Sequence, residues 1–237
     1  PANTTVTIDA HDIKVWDSEY LNVTVRDANG RIMSDALGNI TLNINGAIYS
    51  EKIVNGIARF VIPDLSVGDK EVWAYYDGDR NHNGNKSRAT FNVGQRNPIV
   101  NVTGQDIYVG QTENVHIEIP ANATGYVVLT GNFTDYAIQI TEFDAGKVDL
   151  TFNNLAVGNY SVHIKYYGDE YDNYTVGEAD ATFTVSPIDT PIDIVVESIF
   201  YKQIADITVN VNDDATGFIT INVVNKSGII REIKLPV

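Results

Sequence analysis

Asparagine followed two residues later by Ser or Thr is the most frequent chemistry-bearing pattern in this chain. It occurs at Asn3, Asn22, Asn39, Asn85, Asn101, Asn122, Asn132, Asn159, Asn173 and Asn225. These are ten of twenty-four asparagines. Residue frequencies would place roughly three such acceptors here by chance, so the excess points to N-glycosylation and a glycoprotein. Strand alternation sets Asn22, Asn39 and Asn101 on outward positions and the others in turns or loops, with Asn122, Asn132 and Asn173 the foremost expected carriers of glycan.

A second pattern is Asp77-Gly-Asp79-Arg-Asn81-His-Asn83-Gly84, in which oxygen-bearing residues alternate like the first half of a calcium loop. Hard cations take six to eight oxygens, so Asp77, Asp79, Asn81 and Asn83 are candidate Ca2+ ligands, and calcium is the one cofactor the sequence suggests. The position where an EF-hand loop supplies a bidentate Glu is Arg88, and the surrounding pattern is that of a β-hairpin. The competing role for the same residues is therefore turn capping. The matching loop Gly168-Asp-Glu-Tyr-Asp-Asn173 keeps carboxylates without the spacing. Tyr167, Tyr171 and Tyr174 around it form a candidate sugar-stacking group, against ordinary packing into the core or loop.

Catalytic patterns are missing. His11, His82, His116 and His163 fall on different elements, and the last two alternate with core residues and so face solvent. No H-E-x-x-H, G-x-S-x-G or glycine-rich phosphate loop occurs. Asp213-Asp214 and Asp169-Glu170 are sequence neighbours, which on a strand point to opposite faces and cannot share a site. With no cysteine, thiolate chemistry and disulfide bracing are excluded. The chain is not expected to be an enzyme.

The elements that must carry these residues are read from a repeat. Leu65-Ser-Val-Gly68, Val72-Trp-Ala-Tyr-Tyr76, Gly78-Asp79 and Ala89-Thr-Phe-Asn-Val93 return in order as Leu155-Ala-Val-Gly158, Val162-His-Ile-Lys-Tyr166, Gly168-Asp169 and Ala181-Thr-Phe-Thr-Val185. Asp12-Ile13 matches Asp106-Ile107, and Ala123-Thr-Gly-Tyr-Val127 matches Ala215-Thr-Gly-Phe-Ile219 in a third copy. The period is about that of an immunoglobulin-like domain. Within a copy apolar residues alternate, as in Leu21, Val23, Val25 and Val115, Ile117, Ile119, the mark of half-buried strands. Asn29-Gly30, Asn45-Gly46, Asn55-Gly56 and Gly131-Asn132 supply turns. Trp73, Tyr76 and Tyr166 read as core or corner aromatics.

The ordered elements A-T-G-[YF]-[VI], L-x-V-G-x-x-x-V, Y-[DY]-G-D and A-T-F-x-V resemble the bacterial-type Ig-like repeats of adhesin-like cell-surface proteins of methanogenic archaea. The resemblance covers nearly the whole chain. It implies extracellular display at a cell surface and a role in adhesion or envelope building.

The expected fold is all-β: tandem immunoglobulin-like β-sandwich modules, two complete (1–95 and 96–187) and one partial (188–237). Val23, Phe60, Val72 and Phe91 are assigned to the first core, and Ile117, Leu150, Val162 and Phe183 to the second. The short proline-bearing linkers Gly94-Gln-Arg-Asn-Pro98 and Ser186-Pro-Ile-Asp-Thr-Pro191 favour a semi-rigid rod. The expected function is a non-enzymatic stalk or filament segment. The rival reading is a carbohydrate-binding module array recognising glycans or cell-wall polymer. Asp and Glu outnumber Lys and Arg by 31 to 16, a net charge of −15 that repels phosphate backbones, so no nucleic-acid partner is expected. No apolar run is long enough for membrane insertion by this segment, and a targeting or anchoring segment is expected outside it. The third copy carries an apolar face of Ile207, Val209, Val211, Ile221, Ile233, Leu235 and Val237 without its later strands. Leaving that face wet forfeits on the order of 10 kcal/mol. Its expected partners are other modules of the same longer chain or copies of itself, with surface glycans the partner under the rival reading.

Overall fold

The alternating runs of the first repeat become eight strands: β1 (Thr5–Asp9), β2 (Ile13–Lys14), β3 (Glu19–Arg26), β4 (Asn39–Ile44), β5 (Ala47–Lys52), β6 (Ile57–Ile62), β7 (Gly68–Gly78) and β8 (Asn83–Gly94). The computed structural model describes every residue except Asp135, Tyr136, Glu170 and Asp172; among the described residues no helix forms. Two sheets result, ordered β1-β3-β6 and β2-β8-β7-β4-β5. All pairings are antiparallel except that of β2 with β8. The inward residues of both sheets meet in one core that includes Val23, Phe60, Val72 and Phe91.

The second repeat copies this plan with β9 (Asn101–Thr103), β10 (Ile107–Tyr108), β11 (Glu113–Glu118), β12 (Val127–Gly131), β13 (Ile138–Ile140), β14 (Lys147–Phe152), β15 (Gly158–Tyr166) and β16 (Gly177–Ser186). Its sheets are β9-β11-β14 and β10-β16-β15-β12-β13, with β10 again parallel to β16. Ile117, Val162 and Phe183 are buried in the second core, whereas Leu150 is half-buried at its margin. The connection between β3 and β4 supplies a reason. In module 1 residues 27–38 fold back so that Met33 and Ala36 pack on the core. The corresponding connection of module 2, residues 119–126, is shorter and, beyond Ile119 at its start, brings Ala123 to the margin.

Each module makes its chain cross between sheets after the first strand, and the crossing is pinned twice. Glu19 is buried and its Oε1 accepts the His11 amide at 2.8 Å; Glu113 is buried likewise and accepts the Gln105 amide at 2.8 Å. The Asp12 carboxylate accepts the Asn92 amide, and Asp106 accepts that of Thr184, each at 2.7 Å. The repeated Asp-Ile thus marks where the chain joins the second sheet.

Two expected turns, Asn45-Gly46 and Asn55-Gly56, have both residues at positive φ, as a type I′ hairpin requires. Gly131 differs, since a Cβ there would meet the Ser161 carbonyl oxygen at 2.9 Å and the Phe133 ring at 2.6 Å. Its absent side chain makes room, and its carbonyl accepts the Thr134 amide at 3.3 Å to close the expected turn. Tyr76 and Tyr166 are buried as expected, but Trp73 is not a core aromatic. Val72, Ala74 and Tyr76 take the inward positions of β7, so alternation turns Trp73 to the outer face.

The third copy contains β17 (Asp193–Val196), β18 (Ile207–Asn210), β19 (Phe218–Asn225) and β20 (Gly228–Pro236), paired as two separate hairpins. In the complete modules the equivalents of β18 pair on both sides, β3 with β1 and β6; so do those of β19, β4 with β5 and β7. Among the described residues β18 pairs only with β17 and β19 only with β20, so each keeps an open edge. The expected face is there: Ile207, Val209, Val211, Ile221 and Ile233 are half-buried, while Leu235 and Val237 are 46% and 44% exposed. Among the described residues after Val185 none is buried. Hydrogen exchange on the 237-residue chain checks this: amides of β17 to β20 should exchange about 100-fold faster or more than those of β7 and β15. Equal protection would show that the third unit is sealed.

Candidate functional site

The Asp79 loop is held by hydrogen bonds from three segments. Asp79 Oδ1 accepts the amides of Asn81 and His82 at 2.7 and 2.9 Å, and Oδ2 accepts the Leu37 amide at 2.8 Å and the Tyr76 hydroxyl at 3.0 Å. The His82 ring nitrogen Nδ1 lies 2.9 Å from both oxygens. The His82 ring, with these amides, holds the Asp79 carboxyl far below the usual carboxylate range. Burial, together with the Asp79 carboxylate, pushes the Tyr76 hydroxyl up to about 12. The other candidate calcium ligands do not close on Asp79: Asp77, Asn81 and Asn83 are exposed, and Asn83 Nδ2 donates to Asn3 Oδ1 at 2.9 Å. Among the described residues no group of three or more His, Asp or Glu has metal-holding geometry. In module 2 Asp169 accepts the Tyr174 amide and the Asn173 side chain at 3.1 and 2.8 Å. Its neighbours Glu170 and Asp172 lie outside the described residues. The repeated Gly-Asp is a loop tie, with Gly78 and Gly168 both at positive φ.

The loop tyrosines divide. Tyr174 is buried, and its hydroxyl donates to Asn122 Oδ1 at 2.7 Å. Tyr167 stacks on Tyr126 with centroids 5.2 Å apart, and Tyr171 is 70% exposed. These three therefore do not share one platform.

The sequon asparagines sort by what their amide nitrogens do, since Nδ2 is the atom that would carry a glycan. Asn132 Nδ2 donates to the Asn159 carbonyl at 3.1 Å, Asn173 Nδ2 to Asp169, and Asn85 Nδ2 to the Thr4 carbonyl. Asn39 Nδ2 makes a long 3.4 Å contact to Ser50. Among the described residues, Asn3, Asn122, Asn159 and Asn225 engage only the oxygen, which accepts from Asn83, Tyr174, Thr184 and Ser227. Asn22 is half-buried on β3 and Asn101 is exposed on β9. The histidines at 116 and 163 face outward and meet Asp149 and Asp180 at 2.7 and 2.8 Å.

The residue that sequence reasoning passed over is Arg96. Its backbone belongs to module 2: the amide donates to the Asn173 carbonyl at 2.8 Å and the carbonyl accepts the Thr175 amide at 2.9 Å. Its side chain belongs to module 1: Nε donates to the Val15 carbonyl at 2.8 Å and Nη2 to the Asp17 carboxylate at 2.5 Å. The guanidinium lies 5.9 Å from the centre of the Trp16 ring, and that ring packs on Tyr174 at 5.2 Å. Trp16 has φ +68°, a left-handed conformation that costs a non-glycine residue about 1 to 2 kcal/mol. Gly110 occupies the equivalent position of module 2 at φ +85°. The turn demands positive φ, and module 1 meets that demand with a tryptophan whose ring reaches the next module.

No protein-family model matches the chain, and no curated protein matches it. Among solved structures it is similar to the fibronectin(III)-like modules of Clostridium thermocellum CbhA, at 14% identity and TM-score 0.30, covering 77% of this chain and 95% of that one. It is similar to red sea bream transglutaminase at 16% identity and TM-score 0.35, covering 78% and 31%. The Yersinia pseudotuberculosis adhesin InvE matches at 13% identity and TM-score 0.32, covering 78% and 61%.

The Asp79 tie sets a pH dependence. Its carboxyl is depressed in the folded state, so its contribution is complete above the unfolded value of about 3.9 and falls away as pH drops below it. Asp79→Asn should lower the melting temperature of module 1 by about 5 °C at pH 7. That gap should narrow as the pH is taken from 4 towards 2, as followed by circular dichroism.

Proposed function

We propose that this chain is a non-enzymatic structural and adhesive segment of an extracellular, cell-surface protein, a stretch of stalk or filament in which Ig-like modules are held in fixed succession. The observation that carries this reading is the Arg96 clamp. A tandem whose task is only to tether needs a loose linker. Here the linker residue hydrogen-bonds into both modules, and a strained Trp16 closes the joint against Tyr174. Such a joint transmits orientation along a rod. The motif resemblance to Ig-like repeats of adhesin-like surface proteins, archaeal ones included, supports display at the surface. The open edges of β18 and β19 support assembly: the third unit takes strands of the same repeat type from another module or another copy.

Two measurements test this. The chain has no cysteine, so Lys52→Cys with Gln139→Cys gives one spin-label pair across the joint. Its distance distribution should be narrow, and should broaden to about twice that width when Trp16→Gly and Arg96→Ala are added, as for a released linker. Trp16→Gly alone should leave module 1 as stable or raise it by up to about 1 kcal/mol, because the strain is relieved. An unchanged distribution in the double variant would remove the clamp. For location, protease treatment of intact producing cells should release fragments of this chain, and full resistance until lysis would count against surface display.

A further inference from the structure

The outer face of the five-stranded sheet of module 1 carries an aromatic pair that the fold does not require. Trp73 and Tyr75 stand two apart on β7, their rings near-parallel at 22° with centroids 6.4 Å apart. The register places Asn43 and Arg88 either side of Trp73, and Thr41 and Lys86 either side of Tyr75. Ile48 and Ser50 of β5 extend the two rows, and Ile48 is 62% exposed. The Trp73 indole donates to Glu71, which also pairs with Arg88, so the ring is fixed in place. At the same positions of module 2 stand His163 and Lys165, ion-paired with Asp180 and Glu178 at 2.8 and 2.7 Å. The two modules share strand order and register, so the aromatic pair is an addition to the scaffold.

We infer that this face of module 1 is a binding surface for a neutral polysaccharide, whose pyranose C–H faces pack on Trp73 and Tyr75 while Asn43, Thr41 and Arg88 hydrogen-bond the hydroxyl groups. The occupant follows from three observations. The pair lies on a central strand, with β4 and β8 paired on either side, so a peptide has no free edge to extend. The net charge of −15 opposes a polyanion. The rim mixes donors and acceptors around the exposed Tyr75 ring and the half-buried Trp73 ring, with Lys86 Nζ 5.3 Å from the Trp73 centroid, the composition of a site that orients a polyhydroxylated ligand. The surface is separate from the loop of Tyr167, Tyr171 and Tyr174, and its failure would leave the stalk reading intact.

Affinity electrophoresis of the full chain in gels containing hydroxyethylcellulose, barley mixed-linkage glucan or yeast mannan tests it, with alginate as the polyanion control. At least one neutral polymer should retard the protein. The double variant Trp73→His with Tyr75→Lys, which installs the side chains module 2 uses, should weaken that retardation about tenfold or more while circular dichroism shows an unchanged fold. Tyr75→Ala, read alongside, should also weaken it and guards against a misfolded double variant. No retardation by any of the three neutral polymers, retardation by alginate alone, or retardation that survives both variants overturns the proposal.

Discussion

One polypeptide has to seal two sheets against each other, and it can do so only by crossing from one to the other without leaving backbone amides dry. Glu19 and Glu113 meet that constraint: each is a buried carboxylate spent on an amide of the crossing segment. A desolvated acid is costly unless it is hydrogen-bonded, and here it satisfies a backbone donor that the interruption of the ladder would orphan. Asp12 and Asp106 then fasten the crossed chain to the last strand. The third copy has Ala205 and Ser198 at the corresponding positions. Among the described residues its hairpins lack the crossing tie and pair with no further strand.

The same accounting explains the repeat motifs. In Ala-Thr-Phe-x-Val the phenylalanine and valine face inward, as Phe91 and Val93 and again as Phe183 and Val185. In Gly-Asp the glycine turns the chain at positive φ and the aspartate collects the loop's donors. Motifs that read as identity at the level of sequence are places where backbone geometry or a buried polar group leaves little choice.

How much of this was legible in sequence depends on the range of the interaction. Period-two alternation gave the strands, the two cores and even the half-buried face of the third unit, because alternation is local. Applied to β7, the same alternation would have turned Trp73 outward, since Val72 and Ala74 flank it; the expectation of a core aromatic overrode a signal that was present. The alternating oxygens of residues 77–83 were harder. A calcium loop and a capped turn use the same residue types, and only the amides of Leu37 and His82 reveal how the Asp79 carboxylate is used. Arg96 carried no signal. A lone arginine within a proline-bearing linker acquires its partners only when Asp17 and Tyr174 arrive from segments some eighty residues away on either side.

The left-handed turn after β2 has a consequence for how such tandem modules diversify. Tryptophan and glycine codons, UGG and GGG, differ at one base, and both residues occur at this turn, as Trp16 and Gly110. A single nucleotide change therefore removes the aromatic part of the brace, the Trp16 ring on Tyr174, and leaves the Arg96 hydrogen bonds and both flanking sandwiches in place. Flexibility along an array of these modules can then be set joint by joint, by inheritance of small edits, while the folding units between them are copied unchanged.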